Sequence, residues 1–102
     1  MEKVYAGKTV SVDKEGYLTD LSKWNKDIAM DIAKEEGVEL TDKHFEVLTY
    51  LQDQHKKDVA LSIRSIGKSG VVDIKQFYEL FPKGPLKISS KMAGIPKPKS
   101  CI

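Results

Sequence analysis

The sequence predicts an α+β fold: a small N-terminal antiparallel β-meander packed on an array of about five helices, followed by an extended, mobile C-terminal arm. Three observations carry that prediction. Short alternating segments flank Gly7-Lys8, apolar residues recur at helical spacing from Trp24 to Phe81, and two prolines interrupt the end of the chain. The 102 residues, 40% apolar and 31% charged, suit one domain with a modest core. No stretch approaches the roughly 18 consecutive apolar residues of a membrane-spanning helix. The opening Met-Glu-Lys-Val-Tyr lacks the apolar run of a signal peptide, which predicts a cytoplasmic protein.

Residues 3–6 and 9–12 read as paired strands around a tight hairpin at Gly7-Lys8. A second turn at residues 13–16 returns the chain to a short third strand at Tyr17-Leu18. Residues 22–27 are rich in helix-start types, and the segment to about Glu36 sets Trp24, Ile28, Ala29, Ile32 and Ala33 on one helical face. Gly37 supplies the stop. Thr41 can cap a second helix running to about Lys57, with a stripe of Phe45, Leu48 and Leu51 joined by Val47 and Leu40. A third helix, from about Val59 to Ile66, buries Leu61, Ile63 and Ile66 and ends at Gly67 and Gly70. Residues 73–81 form a fourth, capped by Asp73 and stopped before Pro82. A fifth starts at Pro85 and ends by Gly94. Beyond it, Pro96 and Pro98 exclude helix and central strand and favour a polyproline-like course. The chain thus divides into a globular unit, 1–93, and an arm, 94–102.

Charge and sulfur mark the arm as the functional end. Residues 83–102 hold five lysines and no acid, whereas residues 1–82 hold 12 basic and 15 acidic residues, a net of −3. Such a split points to an anionic partner, either nucleic acid or an acidic protein face. The only cysteine, Cys101, is the penultimate residue. One cysteine rules out an internal disulfide and fits a reducing compartment. A thiol at the tip of a basic, proline-stiffened strip has no packing role there, and reads as a group held out for a partner; the competing reading is an incidental exposed cysteine. An ordinary thiol is about 3% ionised at pH 7. Lys97 and Lys99 favour the thiolate and the carboxylate of Ile102 opposes it, so activation falls to whatever pocket receives the arm. Residues 94–102 can extend about 25–30 Å. Gly94 serves as hinge, and Pro96, Lys97, Pro98 and Lys99 present the thiol.

Other chemistries find little support. His44 and His55 share a face of the second helix but stand about 16 Å apart, so they read as solvated surface residues and not as a metal pair. No Cys/His cluster suits zinc, and no phosphate loop, catalytic triad or paired-carboxylate signature is present. The third and fourth helices resemble a helix-turn-helix in layout. Lys75 and Gln76 are offset there by Asp73 and Glu79, which is poor equipment for reading DNA.

The block Leu80-Phe-Pro-Lys-Gly-Pro-Leu-Lys87 with Ala93-Gly-Ile-Pro-Lys-Pro-Lys-Ser-Cys-Ile102 closely resembles the DsrC/TusE family of sulfur-relay proteins, which includes the gamma subunit of dissimilatory sulfite reductase. Asp13-Lys-Glu-Gly-Tyr-Leu18, Trp24, Glu36-Gly37 and Ile63-Arg64 extend the resemblance over nearly the whole chain. It implies a β-meander against a helix array, and a sulfur carrier with no self-contained active site in which Cys101 holds persulfide sulfur. It also implies a role for Arg64 against the docked thiolate or terminal carboxylate; the alternative is a surface helix residue. Two departures are visible. Ser90 stands where the redox branch has a second cysteine, so that branch's two-thiol cycle is closed and the chain resembles the single-cysteine TusE type. Residues 64–81 look shorter than in typical members, which implies a missing partner-docking loop. The implied partners are a TusBCD-like protein sulfur donor and a tRNA thiouridylase-like acceptor, or alternatively a siroheme sulfite reductase. No cofactor, metal or membrane is implied, and nucleic acid enters only indirectly. A helix-turn-helix DNA-binding regulator remains the rival from another class.

Overall fold

Alternation and turn chemistry make the N-terminus a hairpin. In the structure, a computed structural model describing residues 1–59 and 61–97, β1 (Glu2–Tyr5) pairs antiparallel with β2 (Lys8–Ser11). Tyr5 and Val10 face the core while Val4, on the opposite face, is exposed. The turn falls on Ala6-Gly7, one residue earlier than expected. Both residues have positive φ, 52° and 75°, which lets a two-residue loop follow the twist of its strands, with glycine in second position. The Ala6 amide donates to the Asp31 carboxylate at 2.6 Å and so helps hold an alanine in a conformation it disfavours.

The expected third strand reduces to a single bridge between Val12 and Leu18. Asp13 tightens the turn, its carboxylate accepting from the Glu15 and Tyr17 amides. Asp20 then caps a 3₁₀ turn (Leu21–Lys23) straight after, leaving no room for a longer ladder. The meander is therefore a two-stranded sheet with one added bridge.

α1 (Lys26–Glu36) begins at Asn25, whose side chain accepts from the Ile28 amide, and ends at Gly37 with φ 73°. Trp24 precedes this helix in an extended conformation, so it is not on the helical face assigned to it. α2 (Asp42–Lys56) buries Val47, Leu48 and Leu51, with Phe45 at the core's edge. α3 is shorter than expected, Ile63–Gly67, because Ser62 exchanges capping bonds with Ser65 and fixes the start there. Val59, expected inside it, is exposed. α4 (Ile74–Leu80) is capped by Asp73 as expected. α5 (Pro85–Met92) starts with proline in its first turn and packs against α1, α2 and α4. Its fully buried Leu86 and Met92 each contribute about 1.5–3 kcal/mol by leaving water.

His44 corrects the surface reading. It is 6% exposed, edge-on to Phe81, and joins two helices. The Thr41 amide donates to Nδ1 at 3.1 Å, which leaves the proton on Nε2 to donate to the Leu80 carbonyl at 2.9 Å. The imidazole thus caps the start of α2 and the end of α4 together. His55 is exposed as expected.

A charged cluster fastens the hairpin to α1. Lys3 Nζ lies 2.7 Å from Glu35, and the Tyr5 hydroxyl donates to the same carboxylate at 2.8 Å. Burial opposes the charge on Glu35, but the bonds from Lys3 and Tyr5 outweigh it and hold the carboxyl below its ordinary value. The same bond lifts Lys3 to about 12. Because folded Glu35 releases its proton more readily than unfolded Glu35, its contribution is present above the ordinary carboxylate range and lost as pH falls through the lowered value. Urea unfolding between about pH 5 and pH 3 should therefore show a shallower loss of stability in Glu35→Gln than in the wild type, by ~0.2–1 kcal/mol for a half-exposed group. Identical slopes would contradict the assignment.

Candidate functional site at the base of the arm

The end of α5 fixes where the arm can begin. Gly94 adopts φ 74°, its amide donating to the Lys91 carbonyl at 3.3 Å, while the Ile95 amide donates to Ser90 at 3.2 Å. This is a Schellman stop, with Ile95 as its apolar residue in the core. Trp24 closes it from the other side: its indole Nε1 donates to the Met92 carbonyl at 2.6 Å. A Cβ on Gly94 would stand 2.7 Å from the Trp24 ring. Gln52 adds a bond to the Ala93 carbonyl at 2.7 Å. Gly94 is therefore a fixed, buried helix stop and not a hinge, and the packed body includes Ile95.

Pro96 is the first exposed residue beyond the core. Lys97 follows, and its Nζ lies 2.9 Å from Glu15 in the turn after β2, so its charge is compensated. Arg64 is exposed on α3. Pro98, Lys99 and Cys101 lie outside the described residues.

What the fold assembles, and the sequence does not announce, is the surface around Lys97. A cleft of about 440 Å³ is lined by Lys83, Lys87, Lys91 and Lys97 with Glu15, Glu36, Tyr17 and Ile88. Lys91 pairs with Glu36 at 3.1 Å, and the Tyr17 hydroxyl donates to the Lys87 carbonyl at 3.3 Å. The signal available in sequence was the lysine spacing of four at 83, 87 and 91; Glu15, Glu36 and Tyr17 lie too far along the chain to be associated with it. Among the described residues no three His, Cys, Asp or Glu side chains gather as a metal site, and no helix is long and apolar enough to cross a membrane.

Ser90 is fully buried, and its hydroxyl is the one buried side-chain polar atom among the described residues without a hydrogen-bond partner. Its neighbour Ser89 instead donates back to the Pro85 carbonyl.

The chain belongs to the DsrC-like family: the family model described as DsrC like protein matches residues 4–102. It is 36% identical to the sulfurtransferase TusE of Escherichia coli K12, over 97% of this chain and 98% of that protein, and equally similar to the TusE of Salmonella typhimurium LT2. That alignment spans 107 residues, so about eight of its positions have no counterpart here. Among solved structures, the DsrC of Allochromatium vinosum matches with TM-score 0.83 and 33% identity, each chain fully covered. The oxidized gamma-subunit of dissimilatory sulfite reductase from Archaeoglobus fulgidus matches with TM-score 0.83 and 32% identity, again over both full chains.

Two substitutions test this geometry. Gly94→Ala must place a Cβ at positive φ and against the Trp24 ring, so denaturant unfolding should show a loss of about 2–4 kcal/mol. Ser90→Ala removes an unsatisfied buried hydroxyl and should raise stability by about 1 kcal/mol. A loss of that size instead would mean that the hydroxyl is bonded in solution.

Proposed function

We propose that this protein is a sulfur carrier in a relay, accepting and donating persulfide sulfur on Cys101, with tRNA thiolation as the destination of that sulfur. The observation that carries the reading is that family membership runs to the end of the chain, through the penultimate cysteine, and that this cysteine is the only thiol. The whole-length similarity to TusE sulfurtransferases supports the same role.

The chemistry is thiol–persulfide exchange. The Cys101 thiolate attacks the outer sulfur of a donor persulfide; a new S–S bond forms, the donor's S–S bond breaks, and the donor leaves as a thiolate. Delivery repeats the step with an acceptor thiolate attacking the outer sulfur on Cys101. No net oxidation occurs, so one cysteine suffices and Ser90 costs the carrier nothing. Residues 96–102, beyond the buried Ile95, reach about 22 Å when extended. Pro96 and Pro98 reduce the entropy lost when the arm enters a partner's pocket. Lys97 and Lys99 orient it electrostatically, and exposed Arg64 is the body residue proposed to meet the thiolate or terminal carboxylate. The cytoplasm, where a lone thiol stays reduced, is the proposed place of action. The partners are a protein persulfide donor and a tRNA-thiolating acceptor.

The solved relatives that are subunits of dissimilatory sulfite reductase support a second reading, docking on such an enzyme. With one cysteine, that role needs a partner's thiol to complete any redox cycle. Co-purification with a siroheme reductase would select it.

Intact mass spectrometry after incubation with a cysteine desulfurase and its substrate provides the test. The wild type should gain about 32 Da, one sulfur, removable by reductant, and Cys101→Ser should gain nothing. Equal labelling of the variant, or no labelling of either, would end the carrier reading.

A further inference from the structure

We propose that the cleft beneath the arm is a docking surface for an acidic protein segment. Four of the five lysines from the last twenty residues converge there, although they are spread over fifteen positions of sequence. Lys87 and Lys91, one helical turn apart on α5, lie along one wall, and Lys83 stands in the turn before the helix. The acids of the cleft are already engaged: Glu36 by Lys91, Glu15 by Lys97. Lys83 and Lys87 are exposed and, among the described residues, form no ion pair. The floor is apolar, with Tyr17 and Ile88 6% and 7% exposed.

The occupant follows from charge. Residues 1–82 carry a net −3, so most of the chain repels an acidic partner while this cleft attracts one, which orients the approach. A protein fits better than RNA. The cleft offers no arginine to fork a phosphate and no exposed aromatic on which a base could stack, since Tyr17 is buried and bonded to the Lys87 carbonyl. The inference rests on the relay reading for its purpose only: sulfur passed between proteins requires a docking face near the arm, and Lys97 joins this cleft directly to it.

The test uses the full chain in a Cys101→Ser background, so that no sulfur chemistry contributes. A fluorescein-labelled oligoglutamate peptide is titrated and followed by anisotropy at low salt. Binding should weaken at least about tenfold in Lys83→Glu/Lys87→Glu. Lys56→Glu/Lys57→Glu makes the same charge change at the exposed end of α2 and should alter it by less than about twofold. Circular dichroism confirms that both variants are folded. Equal weakening by the two reversals would reduce the effect to net charge and overturn the proposal. So would failure of the peptide to bind, or tighter binding of a transfer RNA with the same dependence on Lys83 and Lys87. Failure of Cys101 to take up sulfur would leave the binding result intact, and loss of peptide binding would leave the persulfide assay intact.

Discussion

Gly94 stands where α5 must stop and where Trp24 must lie, and both demands fall on the same missing Cβ. The positive φ turns the chain back so that Ile95 enters the core, and the indole covers the turn while bonding to the Met92 carbonyl. α5 is in turn the helix that α1, α2 and α4 share. One contact between residue 24 and residues 92–94 therefore ties the start of the helical array to its end. It also carries the packed core as far as Ile95. An arm that left the body at a loose glycine would sample many directions. One that leaves after a clamped helix stop starts from a fixed point and a fixed heading.

Local chemistry was legible in the sequence, and distant partnership was not. Gly37, Asp73 and Pro85 end or start helices where their conformational preferences place them, because capping involves residues within four positions of one another. The alternation around the hairpin was visible, but the choice between Ala6-Gly7 and Gly7-Lys8 depends on twist and on Asp31, twenty-five residues away. His44 looked like a surface residue because its partners are a carbonyl on α4 and the ring of Phe81. Trp24 had helical spacing with Ile28 and so was placed on α1, whereas its hydrogen bond lies 68 residues ahead. At the site, position alone singled out Cys101 and the family resemblance added Ser90, yet nothing in spacing marked Glu15, Glu36 or Tyr17 as neighbours of the lysines.

The charge of the C-terminal region changes meaning once folded. Read linearly, it is a run of lysines without acids. In three dimensions two of them are held by glutamates from the turn after β2 and from α1. At 2.9 Å and half-exposed, the Lys97–Glu15 pair is worth about 0.2–1 kcal/mol. That is enough to favour this position of Lys97 against the body and too little to lock it there. A partner bringing its own carboxylates can exchange for Glu15 at almost no cost.

The buried serine shows what a second thiol in the body would require. A second thiol at position 90 would lie on the fully buried face of α5, the helix that leads to the arm. To meet Cys101 there, either α5 must loosen or the arm must displace packed side chains, both against several kilocalories of buried apolar surface. A carrier that never forms an internal disulfide has no use for that motion. Serine keeps the volume without the reactivity, and its unsatisfied hydroxyl is a modest penalty of about 1–3 kcal/mol against a core of this size. On the proposed relay reading the body serves as a packed base, and the pockets that receive Cys101 belong to its partners.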